Sequence, residues 1–277
     1  NYISAMNEAV KLLHTLPFSS RLIKQTHKIL LQGVRGEHKL PGEYRTSQNW
    51  IGGASINDAV FIPPIHNTIN ELISDLEHFA NDELNPLPDL IKIAIIHYQF
   101  ETIHPFLDGN GRVGRLLITL YLVSKGVLKQ PILYLSDFFE RNRILYYDNL
   151  MRVRTHNDMN QWLKFFLTGV IETSKKGVAT FDGILQLQKV LEEKLKTLGN
   201  RNVDARKIID VNQIEKTNWK NKLRGSTRPP EDEETHNNQP KDSVGDGGKC
   251  YNEMGPRRNL WGDDFTAFGV ANDATKN

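Results

Sequence analysis

The stretch HPFLDGNGRVGR, from His104 to Arg115, sets a histidine, a carboxylate, two glycines flanking an asparagine, and two arginines side by side. Each has a use where phosphate is transferred. Gly109, Asn110 and Gly111 let the backbone approach a ligand and turn its N–H groups inward, with no Cβ at the glycines to obstruct a phosphate. Arg112 and Arg115 fall in the first turns of a following helix, where amides and guanidinium groups both favour an anion. Asp108 is a lone carboxylate beside phosphates, which suits Mg²⁺. His104 is the side chain best poised as a base near neutral pH. Together they describe a phosphoryl or nucleotidyl transfer site. His104 would activate a hydroxyl, the loop and arginines would hold a polyphosphate, and Asp108 its metal.

Taken singly, each residue has a structural alternative. His104 could end a helix, Asp108 or Asn110 could cap one, the glycines could form a turn, and the arginines could be solvated. Jointly these alternatives are poor. The stretch is not a Walker loop, and it lacks the strand–loop–helix setting of a dinucleotide fold.

The elements that must position these residues read as helices. "PLPDLIKIAIIHYQFETI" is apolar over most of its surface, which predicts a buried central helix leading into His104. "RVGRLLITLYLVSKG" predicts another, ended near Gly126. Upstream, "SSRLIKQTHKILLQGV" is helical with Ser19 or Ser20 as N-cap and is stopped by Gly33 and Gly36. Downstream, "SDFFERNRILYYDNLMRVRT" and "NDMNQWLKFFLTGVIETSKK" each predict a helix, capped by Ser136 and Asn157. "LQLQKVLEEKLKTLG" predicts an amphipathic last one. Between Pro41 and Pro64, the glycines at 52 and 53, a turn at Asn57-Asp58 and the run Ala59-Val60-Phe61-Ile62 predict a hairpin flap at about 50–63. Glu43 and Arg45 are read as bracing its base, and His97 and Tyr98 as core neighbours. His27, His38 and His66 lack metal-ligand spacing, so no zinc is expected.

The 277 residues carry a net charge of +2, which gives no electrostatic footprint for nucleic acid or an anionic membrane. One cysteine, Cys250, excludes an internal disulfide and points to the reducing cytoplasm. No apolar run approaches the roughly 18 to 20 residues of a membrane span. Residues 201–216 read as the start of a C-terminal extension. Residues 217–277 are rich in charge, proline and glycine and are expected to be a disordered tail.

HPFLDGNGRVGR resembles the Fic family signature HxFx[DE]GNGRxxR at every fixed position. The likeness extends to "PGEYRTSQNWIGG" and "RLLITLYLVSKGVLKQPILYLS". It implies an all-α helical bundle with a small β-hairpin flap, whose catalytic domain spans residues 1–200. It also implies transfer of AMP from ATP to a Ser, Thr or Tyr hydroxyl of a target protein. On that resemblance His104 is the general base and Asp108 the Mg²⁺ ligand. Gly109, Asn110 and Gly111 hold the α- and β-phosphates, and Arg112 and Arg115 serve the β- and γ-phosphates. Tyr146 and Tyr147 contact the adenosine, with packing in the core as the competing reading. Val60, Phe61 and Ile62 form the flap that registers the target peptide by strand addition.

Many relatives inhibit themselves through a helix carrying [ST]xxxE[GN]. Here "SAMNEA" gives SxxxE followed by alanine, and the chain opens with Asn1 rather than Met. The expectation is that the inhibitory helix lies upstream of the sequence given, so that this chain is deregulated and modifies itself. DNA binding is not expected without an intact winged helix, and a homodimer is left open. Two alternatives stand beside AMP transfer. One is transfer of phosphate or phosphocholine; the other is a non-catalytic regulator on the same fold. The intact loop and His104 argue against both.

Overall fold

The computed structural model describes residues 2–32 and 39–196. Eight helices run through them: α1 (Tyr2–Leu12), α2 (Ser20–Leu31), α3 (Ile69–Asn81), α4 (Asp89–Ile103), α5 (Asn110–Ser124), α6 (Ser136–Arg141), α7 (Arg143–His156) and α8 (Met159–Lys196). No strand occurs among the described residues, so the all-α expectation holds. None of these helices is long and apolar enough to cross a membrane.

α4 is the axis of the bundle. Most of its residues are buried on every side, as its uninterrupted apolar composition requires, and it packs against α3, α5 and α8. Among its buried polar side chains, His97 has both ring nitrogens satisfied. His97 Nδ1–H donates to the Gly114 carbonyl at 3.0 Å, and the Tyr146 hydroxyl donates to Nε2 at 3.0 Å. The ring also stacks on Phe139 and Trp162. Trp162 Nε1 donates to the Ala94 carbonyl at 2.9 Å, which fixes α8 to α4. These bonds matter because a buried polar group without a partner would cost on the order of 1–3 kcal/mol.

Caps and breaks refine the reading from sequence. Ser19 is the N-cap of α2, its hydroxyl accepting from the Leu22 amide. The stop at Gly33 and Gly36 lies outside the described residues. The helix expected from Ser136 onward is two helices. Its backbone leaves the helical region at Asn142, and Leu135 rather than Ser136 is the N-cap. Asn157 does not cap the following helix; it ends α7 in the left-handed conformation at φ 55°. Asp158 takes the capping role, accepting the Gln161 amide at 3.1 Å. The last two expected helices are one, because neither Gly177 nor Gly183 interrupts α8.

The flap is smaller than expected. One antiparallel bridge, Ile51 to Phe61, takes the place of two strands. Gly52 and Gly53 both have positive φ, and a Cβ at Gly53 would overlap the Asp58 carbonyl. Residues 56–58 form a 3₁₀ turn in which the Asp58 carboxylate accepts the Ala54 and Ser55 amides. Pro63 and Pro64 then remove the donors that a longer ladder would need.

Candidate active site

α4 ends where the motif begins. A residue before proline is pushed out of the α region, and Pro105 follows His104. His104 takes φ 48° and ψ 61°, a left-handed conformation that costs a non-glycine residue about 1 kcal/mol. The turn is held from several sides. The His104 amide donates to the Phe100 carbonyl, and Arg45 Nε donates to the His104 carbonyl at 3.0 Å. The Arg45 amide donates to the Pro105 carbonyl at 2.9 Å.

The loop beyond folds around Asn110. Its Oδ1 accepts the Phe106 amide and its Nδ2 donates to the Phe106 carbonyl, both at 2.8 Å. Asn110 is therefore the buried clasp of the loop. Gly109 precedes α5 at φ 80°, where any side chain would be strained. The first backbone bond of α5 runs from the Val113 amide to the Gly109 carbonyl. The amides of Asn110, Gly111 and Arg112 come before it, at the positive end of the helix dipole. Asp108 Oδ1 accepts the Gly109 amide at 2.6 Å and meets Arg112 Nη2 at 3.3 Å. Both side chains keep partial exposure. Arg115 lies one turn on, on the same face as Arg112, and its charge bears on Tyr2, Tyr134, Tyr146 and His97.

His104 is buried, and its pKa is lowered to about 3. Burial is the main cause, and the Arg45 and Arg154 charges add to it. The imidazole is therefore neutral at physiological pH and has a lone pair to accept a proton.

Several residues outside the motif turn out to build the site. His27 stacks on Phe106 with ring centroids 3.7 Å apart. The Gly42 amide donates to its Nδ1 at 2.8 Å, which leaves Nε2–H to donate to the Asp108 carbonyl at 3.0 Å. Burial lowers its pKa to about 4, so this neutral tautomer persists. A signal for His27 exists in the sequence: it occupies the buried stripe of α2 with Ile23 and Leu30, where a polar residue needs partners. Arg45 braces more than the flap's base. Besides His104 it donates to the carbonyls of Ser47 and Pro64, joining the ends of the flap to the turn at His104. Asn49 Nδ2 reaches the Phe106 carbonyl at 3.3 Å.

The remaining candidates separate. Tyr146 is 4% exposed and belongs to the core, while Tyr147 is 42% exposed and open to solvent beside it. On the flap, Val60 and Ile62 are exposed and Phe61 between them turns its ring to Arg154, the alternation of an extended segment. In "SAMNEA", Glu8 forms a surface pair with Lys11 at 2.7 Å.

No group of three His, Cys, Asp or Glu side chains among the described residues is placed to hold a metal alone. A single partly exposed carboxylate at the mouth of an anion loop fits a Mg²⁺ ion that arrives with phosphate oxygens and water as its other ligands.

Residues 17–122 match the model of the Fic/DOC family. The matched stretch includes the whole of the motif. The chain is 28% identical over 189 residues to a protein of Aquifex aeolicus named a probable protein adenylyltransferase, covering 61% of this chain and 56% of that one. It is 30% identical over 136 residues to the protein adenylyltransferase fic-1 of Caenorhabditis briggsae, covering 46% of this chain and 25% of that one. The chain thus spans between a quarter and just over half the length of these relatives. A Fic family protein from Desulfovibrio desulfuricans superposes with a TM-score of 0.55 at 25% identity, covering 65% of this chain and 53% of that one.

Proposed function

We propose that the chain is a protein adenylyltransferase, with residues 1–200 as its catalytic unit. The observation that carries this reading is a neutral, buried His104 at the end of α4, one turn of loop away from an anion site that has its own carboxylate. In the reaction a target hydroxyl oxygen attacks the α-phosphorus of ATP. A new O–P bond forms, the P–O bond to pyrophosphate breaks, and the hydroxyl proton passes to the His104 imidazole. The amides of Asn110, Gly111 and Arg112, ahead of the first bond of α5, hold the phosphates, and the side chains of Arg112 and Arg115 neutralise them. Asp108 would hold a Mg²⁺ ion, which supplies charge neutralisation across the phosphates. The anionic triphosphate opposes the effect of Arg45 and Arg154 on His104 and so raises its basicity when substrate is in place.

Tyr147 is the reading's contact for adenosine, and Val60 and Ile62 its docking edge for an extended target segment. The relatives' names support a protein target, and a hydroxyl on the chain itself is one such target. A single cysteine in 277 residues supports a reducing, cytoplasmic setting. The reading is tested by incubating the chain with Mg²⁺ and ATP labelled at the α-phosphate. Label is expected on protein with the parent chain and none with His104→Ala.

A further inference from the structure

The flap raises a physical problem. Three backbone hydrogen bonds around one bridge, Ile51 N–H to Phe61 O, Phe61 N–H to Ile51 O and Val60 N–H to Ile51 O, join its two sides. Even a full two-stranded hairpin is marginal in water, so this one must be held from outside. Its entry and exit are held by Arg45, which donates to Ser47 and Pro64, and by Gln48, whose Nε2 donates to the Pro63 carbonyl at 2.9 Å. Neither support reaches the bridge itself. What does is Arg154 of α7, whose guanidinium carbon lies 3.7 Å from the centroid of the Phe61 ring.

Arg154 is also tied to the helix that carries the base. Its Nη2 donates to the Glu101 carbonyl at 3.3 Å and meets Thr102 Oγ1 at 3.5 Å, both on the last turn of α4. Carbonyls there lie at the negative end of the helix dipole and lack intrahelical partners, so a cation is favoured. Its Nη1 rests at 3.5 Å on Met151 Sδ of its own helix. A cation–π contact strengthens as the cation loses water, Arg154 is partly buried, and arginine's planar group suits a ring better than lysine's ammonium does.

We infer that Arg154 is a positioning residue for the target: set over the Phe61 ring and bonded to the last turn of α4, it fixes the flap to the helix end that presents His104. The inference rests on reading the flap as the docking edge. Strand addition can place a hydroxyl at His104 only if the strand it adds to is itself fixed relative to α4. Arg154 makes that link, and Arg45 anchors the ends.

The test is amide exchange of the flap in the full chain, compared between the parent, Arg154→Met, Arg154→Lys and Phe61→Leu. Arg154→Met and Phe61→Leu are each expected to speed exchange of the Ile51, Val60 and Phe61 amides about three- to tenfold. Arg154→Lys should fall between, because it keeps the charge and loses the planar guanidinium. Exchange in α4 and the Kd for Mg-ATP should stay within twofold of the parent. Flap exchange in Arg154→Met equal to the parent's would overturn the inference. So would a tenfold weaker Kd with an unchanged flap, which would make Arg154 a nucleotide contact instead. If Arg154→Met does not fold, Phe61→Leu reads the same contact from the ring side. Exchange needs no turnover, so the inference and the AMP-transfer reading fail separately.

Discussion

A histidine acting as base must be neutral before the hydroxyl arrives, and His104 is kept so by burial and two neighbouring arginines. Removing the imidazole should lower transfer by about 10²–10⁴-fold while Mg-ATP still binds, as read by calorimetry beside a transfer assay. The lowered pKa also sets the pH profile. The base form of the free enzyme is populated well below neutrality, so kcat/KM should stay level between pH 6 and 8 with no inflection at 6.5. An acid limb centred at 6.5 that vanishes only in His104 variants would show an unburied base. His27 works one step back from the reaction, on the carbonyl of Asp108. His27→Ala would leave the Gly42 amide without its partner and the Phe106 ring without its stack, so it should destabilise the chain by about 2–4 kcal/mol. Chemical denaturation measures this loss.

The helices that carry these residues were legible in the sequence to unequal degree. α4 and α5 were plain, because a run of apolar residues around the motif permits little else. The motif's own residues were plain for the same reason: they are contiguous, so local spacing already assembles them. His27, Asn49 and Arg154 were not, and Arg45 was read only as a brace of the flap's base, since these four meet the site across 81, 57, 53 and 59 residues of chain. Nothing local marks such a partner except a polar residue on an apolar stripe. Boundaries were missed where one residue decides them, as when Asn142 breaks a helix that hydrophobic spacing carries through, or where glycine lowers helix propensity without stopping α8. α8 depends on another glycine for its seat. A Cβ at Gly169 would lie 2.5 Å from the buried Phe138 ring, which Phe165 backs at 5.2 Å. Gly169→Ala should therefore cost about 1–3 kcal/mol by overpacking, against the gain alanine brings to an unhindered helix. A rise in thermal stability would mean that α6 can yield at this crossing.

Among the described residues, three histidines are buried neutral: His27 with a pKa of about 4, and His97 and His104 with values of about 3. Their folded pKa values lie below the unfolded value of about 6.5, so as pH falls the unfolded chain takes up protons that the folded chain does not. The stability they contribute is present above pH 6.5 and is lost as pH falls from there towards 4. The limiting slope is about 1.4 kcal/mol per pH unit for each histidine, or up to about 4 for the three. Melting curves between pH 7.5 and 5 should show a steep fall in Tm, and a Tm constant over that range would contradict the burial of these rings. The price of the site's architecture is thus acid lability.

The most direct test of the whole account is the intact mass of this chain after incubation with Mg²⁺ and saturating ATP, beside His104→Ala treated alike. The account predicts a gain of about 329 Da, one AMP on a hydroxyl, in the parent and none in the variant. A gain of about 80 Da would mean phosphate transfer instead. An AMP gain that survives in His104→Ala, or an unchanged parent mass, would contradict the assignment of His104 as the base of a self-modifying adenylyltransferase.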